Sequence, residues 1–171
     1  DEWLGRYFNR ELAPIITPVG LDPAHPFPEP LNKSPAFIVG LEGKDAFGRN
    51  SGQAIVQAPR SLPRVIRLPE SIASSPNEFV LLSSIVSAHI SDLFSGMKAT
   101  GCYQFRVTRN SDLFVDEEAI DDLLIALEGE LSARRYGSAV RLEVAKDCPE
   151  KLAEFLADQF ELGMDSVYRC N

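Results

Sequence analysis

Proline is spread very unevenly along this chain, and its distribution limits the fold more than any other feature. Eleven of the twelve prolines lie at or before Pro76, and only Pro149 follows. Proline lacks a backbone N–H and clashes with the preceding helical turn, so long helices are disfavoured where prolines are dense. We therefore predict strands and loops in the first half of the chain and the long helices in the second half.

The first half is predicted to hold one early helix and several short strands. Residues 2–12 carry aromatic and leucine side chains at helical spacing, and Pro14 should end that helix. The prolines from Pro18 to Pro30 predict an irregular, extended loop. Further strands are predicted at 35–41, 53–58 and 65–68. The first of these strands is almost continuously apolar, so both of its faces should be covered.

The second half alternates strands with amphipathic helices. A short strand at 79–82 should lead into a helix over 85–94, which Gly96 ends. Residues 99–108 alternate strictly, which indicates a strand with Arg106 on its polar face. The longest helix is predicted over Asp116–Arg135, followed by a strand at 140–144, a helix from Pro149 to Gly163 and a last strand at Val167–Tyr168.

This order predicts an α+β fold with α/β-like strand–helix–strand units, in which helices pack on one mixed β-sheet of a single domain. Residues 1–17 are interpreted as an N-terminal helical segment, either a lead-in or the end of a preceding domain. Residues 18–171 form the main domain. Because the chain begins without methionine, we expect it to be a piece of a longer or processed protein.

Composition and charge exclude several classes of protein. No apolar run is long enough for a membrane helix, and the acidic start does not resemble a secretory signal, so a cytoplasmic location is expected. Residues 1–111 carry 11 basic and 10 acidic side chains, whereas residues 112–171 carry 6 and 15. Such an acidic second half argues against a nucleic-acid-binding module, which normally presents a basic face. The three widely spaced cysteines, Cys102, Cys148 and Cys170, favour free thiols over a disulfide framework or a zinc site.

Two histidines are the first candidates for chemistry. His25 lies in a proline-rich loop, where it could act as a general base or phosphate acceptor, or could instead hydrogen-bond the loop backbone. His89 lies on the helix over 85–94 and is interpreted as a packed residue. The acidic pairs Glu117-Glu118 and Asp121-Asp122 are interpreted as favourable charges on a helix rather than a magnesium site. The glycines match no phosphate-binding loop, and no metal or cofactor site is predicted in this chain.

Arginines form the second candidate set. Arg106 and Arg109 lie at the end of a strand, and Arg134 and Arg135 end the following helix. Guanidinium groups hold phosphate oxygens through paired donors, so these four residues could form a polyanion contact, with Arg141 nearby. The alternative is that the arginines pair with Asp112, Asp116, Glu143 and the carbonyls at the helix end.

Several strings resemble the polyphosphate kinase family, specifically its middle or head domain. They are WLGRYF at Trp3–Phe8, ITPVGLDPAHPFP at Ile16–Pro28, LPR at Leu62–Arg64, FVLL at Phe79–Leu82, FRVTRNSDLFVDEE at Phe105–Glu118, RRYGSAVRLEV at Arg134–Val144 and VYR at Val167–Arg169. They occur in order over nearly the whole chain. The resemblance assigns residues 18–171 to this middle domain.

What the resemblance implies is a supporting role. Such kinases reversibly transfer the terminal phosphate of ATP to polyphosphate through a phosphohistidine, with magnesium (Mg2+). Their phosphorylated histidine and magnesium contacts lie in following domains, and no catalytic residue transfers to this chain, His25 and His89 included. The expected partners are the remaining domains of the kinase and a second subunit, with polyphosphate at the basic residues. Isolated, the chain is expected to be inactive. A free-standing phosphate-handling enzyme using His25 and a stand-alone interaction module are the alternatives.

Overall fold

The computed structural model describes residues 2–22, 24–44, 52–110 and 137–170. The chain groups into two units, the first containing residues 1–26 and 36–104 and the second containing residues 27–35 and 105–171. The helix predicted over Asp116–Arg135 lies outside the described residues. Each unit is described separately.

The N-terminal helix changes its winding after Tyr7. Helix α1 spans Glu2–Tyr7, and Phe8–Leu12 continues as a π-helical turn. Here the Ala13 N–H donates to the Phe8 carbonyl at 2.8 Å, a bond five residues apart that widens the turn. Phe8 and Leu12 are completely buried, so the predicted apolar stripe does pack into the first unit.

Short strands make up most of the first unit. They are β1 (Thr17–Gly20), β2 (Ala36–Gly43), β3 (Gln53–Gln57), β4 (Val65–Arg67), β5 (Phe79–Leu81) and the part of β6 (Met97–Arg109) that ends at Gln104. The main sheet has the order β1-β3-β2-β6, and β4 pairs with β5 in a separate antiparallel ribbon. Phe37 and Val39 on β2 join the main core, while Ile38 is buried on the opposite face, as the continuous apolar run predicted.

Strand β1 corrects the prediction that the segment from Pro18 onward is irregular. It pairs antiparallel with β3, and Pro18 faces Val56. The Leu21 N–H donates to the Gln53 carbonyl at 2.9 Å, so alternate residues of β1 point their N–H groups toward β3. The nitrogen of Pro18 therefore points away from β3, where no donor is needed. Proline is compatible with a sheet at such an edge position.

One helix covers the main core of the first unit. Helix α2 spans Leu82–His89 and continues as a 3₁₀ helix over Ile90–Leu93. Ile85 and Val86 are buried in the same apolar cluster as Phe8 and Phe37. The segment ends with Phe94 as its C-cap, and Gly96, the predicted stop, lies two residues later with a φ of 81° in the turn before Met97.

The described residues of the second unit form a mixed sheet and a helix of 10 residues. Its elements are the part of β6 from Phe105, β7 (Ala139–Ala145), helix α3 (Glu150–Gln159), a 3₁₀ turn (Met164–Ser166) and β8 (Val167–Cys170). Strand β7 pairs antiparallel with β6 and parallel with β8, and α3 provides the crossover that a parallel pair requires. Phe105, Leu142 and Leu156 are almost fully buried.

Helix α3 ends earlier than the sequence predicted. Gly163 was the expected stop, but the last helical residue is Gln159. Glu161 adopts a left-handed φ of 56° instead, and the Leu162 N–H donates to the Ala157 carbonyl at 2.9 Å. This geometry is a Schellman motif, in which a residue with positive φ satisfies the last carbonyls. A non-glycine residue in this position gave no sequence signal.

The predicted α+β class, a mixed sheet with helices packed on it, is confirmed. The boundary proposed at residue 17 stays a prediction, although Phe8 and Leu12 belong to the core of the first unit. Among the described residues no helix is both long and apolar enough to cross a membrane.

Candidate functional site

The predicted arginine site is divided by the alternation of β6. Arg106 lies on the accessible face, with its side chain 40% exposed and its Nη2 2.6 Å from Glu143 Oε2. Arg109 lies on the buried face, with only 5% of its side chain exposed. The structure therefore does not bring these two arginines together as one basic stripe.

A second guanidinium binds the same carboxylate on the accessible face. Arg141 Nη2 lies 3.2 Å from Glu143 Oε1, and its Cζ lies 4.0 Å from the centre of the Tyr168 ring. Stacking on an aromatic ring holds a guanidinium in place and leaves its edge free to donate. Two positive groups share one negative group, so this cluster of Arg106, Arg141 and Glu143 carries a local charge of about +1.

The Glu143 contacts agree with part of the alternative hypothesis, in which the arginines pair with acidic side chains and helix-end carbonyls. Glu143 was among the predicted partners, and it does neutralise part of the charge of Arg106 and Arg141. The role of Tyr168 in supporting Arg141 was not predicted from the sequence. Only the register between β7 and β8 reveals this contact, because the two strands are parallel and place Tyr168 beside Glu143.

Arg109 links three segments of the second unit from within. Its backbone N–H donates to Asn32 Oδ1 and its Nη1 donates to the Gly137 carbonyl, each at 3.0 Å. The ladder shifts register after Thr108, which pairs with Arg141 while Arg109 pairs with Ala139, so the extra residue of this β-bulge is Val140 on β7. The Cζ atom also lies 5.8 Å from the centre of the Phe160 ring.

The guanidinium of Arg109 is incompletely satisfied. Nη2 lies 3.5 Å from Glu29 Oε2, a Coulombic contact, yet both Nε and Nη2 are buried without a hydrogen-bond partner among the described residues. A buried donor without a partner costs about 1–3 kcal/mol. Arg109 therefore acts as a structural residue here, at a local cost in stability. The prediction that it contacts a polyanion, like that for Arg134 and Arg135 outside the described residues, stays untested.

The two histidines have different surroundings. His25 is 74% exposed, and its Nδ1 lies 3.3 Å from Asp22 Oδ2 in a turn where the His25 N–H donates to the Asp22 carbonyl. His89 stacks on Phe8 with ring centres 5.4 Å apart and lies 3.3 Å from Asp92 through Nδ1. A Cβ on Gly5 would lie 3.3 Å from His89 Cε1, so glycine permits this close approach. Packing is the role that these contacts assign to His89, as predicted.

All three cysteines are free thiols, as predicted. Burial raises the pKa of Cys102, and a hydrogen bond with Ser87 partly offsets the increase. Burial also raises the pKa of Cys148, and the positive charge of Arg169 partly offsets this increase. Both thiols are therefore weak nucleophiles at neutral pH, since the thiolate is the reactive form.

Within the described ranges, no three His, Cys, Asp or Glu side chains gather to hold a metal ion. A groove of about 340 Å³ lies in the first unit, lined by Glu2, Trp3, Leu4, Arg6, Leu68 and Ile72. Its lining is mainly apolar side chains, with the two charged groups Glu2 and Arg6 at the N-terminal helix.

Comparisons with known proteins agree on one family. The family model described as the polyphosphate kinase middle domain matches residues 1–171. The polyphosphate kinase of Pseudomonas putida is 60% identical over 169 residues, which cover 99% of this chain and 23% of that protein. The polyphosphate kinase of Pseudomonas aeruginosa is 59% identical over 167 residues, which cover 98% of this chain and 24% of that protein.

A solved structure shows the same fold. The crystal structure of polyphosphate kinase from Porphyromonas gingivalis matches with a TM-score of 0.73 at 19% identity, over 99% of this chain and 23% of that one. The chain thus spans about a quarter of the length of the relatives that it matches. Further domains accompany the matching region in those relatives.

Proposed function

Because the chain belongs to the polyphosphate kinase middle-domain family, we propose that it is the non-catalytic head of a longer polyphosphate kinase. That enzyme transfers the terminal phosphoryl group of ATP to polyphosphate, reversibly and through a phosphohistidine, with Mg2+ bound by its other domains. The head supports the dimer and flanks the tunnel that leads to the active site. Phosphoryl transfer depends on positioning and charge stabilisation, to which a rigid wall contributes without reacting.

This proposal rests on one observation: the match covers nearly all of this chain but only a small share of the length of its relatives. Nearly the whole chain aligns with curated polyphosphate kinases at 59–60% identity, while it covers only 23–24% of their length. The surroundings of the histidines support the same proposal. His25 is largely exposed in a turn, and its Nδ1 lies 3.3 Å from Asp22 Oδ2 of the same turn. His89 packs on Phe8.

A phosphorylation assay tests the non-catalytic role. The 171-residue chain is incubated with Mg2+ and ATP labelled at the terminal phosphate, with and without polyphosphate, beside the longer enzyme as a positive control. We expect no labelled protein and no change in polyphosphate from the chain. Label on the chain that disappears in the His25→Ala variant would instead establish the free-standing enzyme. Label that persists in that variant would also end the proposal, through another residue.

Arg106 is the described residue best placed to contact polyphosphate. Its guanidinium is 40% exposed, and Arg141 shares the neutralising Glu143. Exposed charge contacts contribute up to about 1 kcal/mol, so Arg106→Ala in the longer enzyme should raise KM for polyphosphate about threefold and weaken its salt dependence. Gln104→Ala, on the same face of β6, is the control and should change neither. An unchanged salt dependence in Arg106→Ala would limit Arg106 to pairing with Glu143.

A further inference from the structure

The ribbon formed by β4 and β5 has one face that is packed and one that is not. Ile66 faces Val80 across the ribbon, and this pair packs into the core of the first unit. Val65 faces Leu81 on the opposite side, and Phe79 lies two residues before Leu81 on the same side. These three side chains are 52%, 54% and 55% exposed, in the order Val65, Leu81 and Phe79.

Three half-exposed apolar side chains on one strand pair form a continuous patch rather than isolated surface residues. Exposed apolar patches of this kind mark interaction surfaces. The fourth position of the same face is Arg67, which lies opposite Phe79 and donates from Nη2 to the Pro76 carbonyl at 2.9 Å. The outer face, defined as Val65, Phe79 and Leu81, therefore has a polar rim at Arg67.

The connection between the two strands holds this outer face in a fixed shape. The Leu68 N–H donates to the Glu78 carbonyl at 3.0 Å, and the Ile72 N–H donates to the Pro69 carbonyl at 3.0 Å. The Ser74 N–H donates to the Glu78 carboxylate at 2.5 Å. A surface that is already ordered loses little conformational entropy when a partner binds, which favours docking of a folded surface.

We propose that the outer face of the β4–β5 ribbon is the docking surface for a neighbouring domain of the same polypeptide. This inference rests on the proposed function, because the relatives carry more than three quarters of their length outside the matching region. The matching region is described as a middle domain, so it has neighbours within one chain. Contacts between domains of a chain combine apolar centres with polar rims, as Val65, Phe79, Leu81 and Arg67 do.

Thiol labelling tests this docking surface in the longer polypeptide. Phe79→Cys and, separately, Leu81→Cys are placed in a Cys170→Ser background, which removes the exposed native thiol. The labelling rate is compared between the 171-residue chain and the longer protein, with circular dichroism as a check of folding. Ser84→Cys, at an exposed polar position of α2, is the matched control.

We expect labelling of the Phe79→Cys and Leu81→Cys variants to slow about tenfold or more in the longer protein, at every protein concentration, while the Ser84→Cys control changes little. Equal rates in the two proteins would overturn the inference. Protection that disappears on dilution would also overturn it, because a second copy would then cover the face. The phosphorylation assay above does not involve these thiols, so catalysis by the isolated chain and failure of docking remain separate results.

Discussion

The two units bury very different interiors. The core of the first unit consists of apolar side chains from the N-terminal helical segment, α2 and the sheet, among them Phe8, Phe37, Val56 and Ile85. The second unit also buries aromatic rings, with Phe160 6.1 Å from Phe105 and 5.4 Å from Phe27 between ring centres. Beside these rings, however, it encloses the guanidinium of Arg109.

This difference shows that the two units use their interiors for different purposes. An apolar core gains free energy from every carbon removed from water. Burying an arginine costs desolvation free energy, which its contacts offset only if all of its donors are satisfied. Two nitrogens of Arg109 have no partner within the part of the chain that the structure describes. Arg109 does connect β6 with Asn32 and Gly137, which lie far away in sequence. We infer that the second unit accepts lower stability in exchange for fixing these segments.

The largest expected effect tests the apolar half of this comparison. Phe37 is 1% exposed within the core cluster of the first unit. Truncating a buried phenylalanine removes its transfer free energy and leaves a cavity, so Phe37→Ala should lower the free energy of unfolding by about 3–5 kcal/mol. Urea denaturation measures this loss. Phe79→Ala, at a side chain that is 55% exposed, is the control and should cost much less. Similar losses in the two variants would mean that this core is not where stability resides.

Much of this architecture was predictable because local pattern and final burial agree. The continuous apolar run in β2 did become a strand buried on both faces, and Phe105 and Val107 did share the buried face of β6. Free cysteines and the mixed sheet followed from spacing and from the order of the elements. In each case the local residue type or the hydrophobic periodicity was enough to predict the structure.

The remaining features depend on contacts that a single sequence does not display. Arg109 was assigned to a surface that contacts polyanions, and its burial is seen only in its tertiary contacts with Asn32 and Gly137. Pro18 was assigned to a loop because its lack of an N–H excludes a central strand, whereas an edge position tolerates it. Tyr168 beside Arg141 requires the parallel pairing of β7 with β8. Tertiary pairing, not propensity, decided all three.

A second prediction tests the arginine half of the comparison. Arg109→Met retains most of the volume beside Phe160 and removes two nitrogens that no described residue pairs, but it loses the bond to the Gly137 carbonyl. We expect its free energy of unfolding to stay within about 1 kcal/mol of the native value, whereas Arg109→Ala, which also leaves a cavity, should cost about 2 kcal/mol. Urea denaturation of both variants gives the comparison. If methionine is as damaging as alanine, the guanidinium itself stabilises the second unit and the proposed difference between the interiors is wrong.

The smallest expected effect compares one shielded thiol from each unit. Burial raises the pKa of Cys102 in the first unit and of Cys148 in the second, and Arg169 lowers the latter in part. A thiol with a raised pKa stays protonated in the folded state after its unfolded counterpart has ionised. Its stabilising contribution is thus complete below the unfolded thiol pKa of about 8.5 and decreases as pH rises above that value.

Urea midpoints measured from neutral pH to about pH 10 should therefore fall less in Cys102→Ala and Cys148→Ala than in the native chain. Arg169→Met should steepen the fall, because it removes the charge that lowers the pKa of Cys148, and it should leave labelling of Cys102 unchanged. A pH dependence that none of these substitutions alters would assign the effect to other groups.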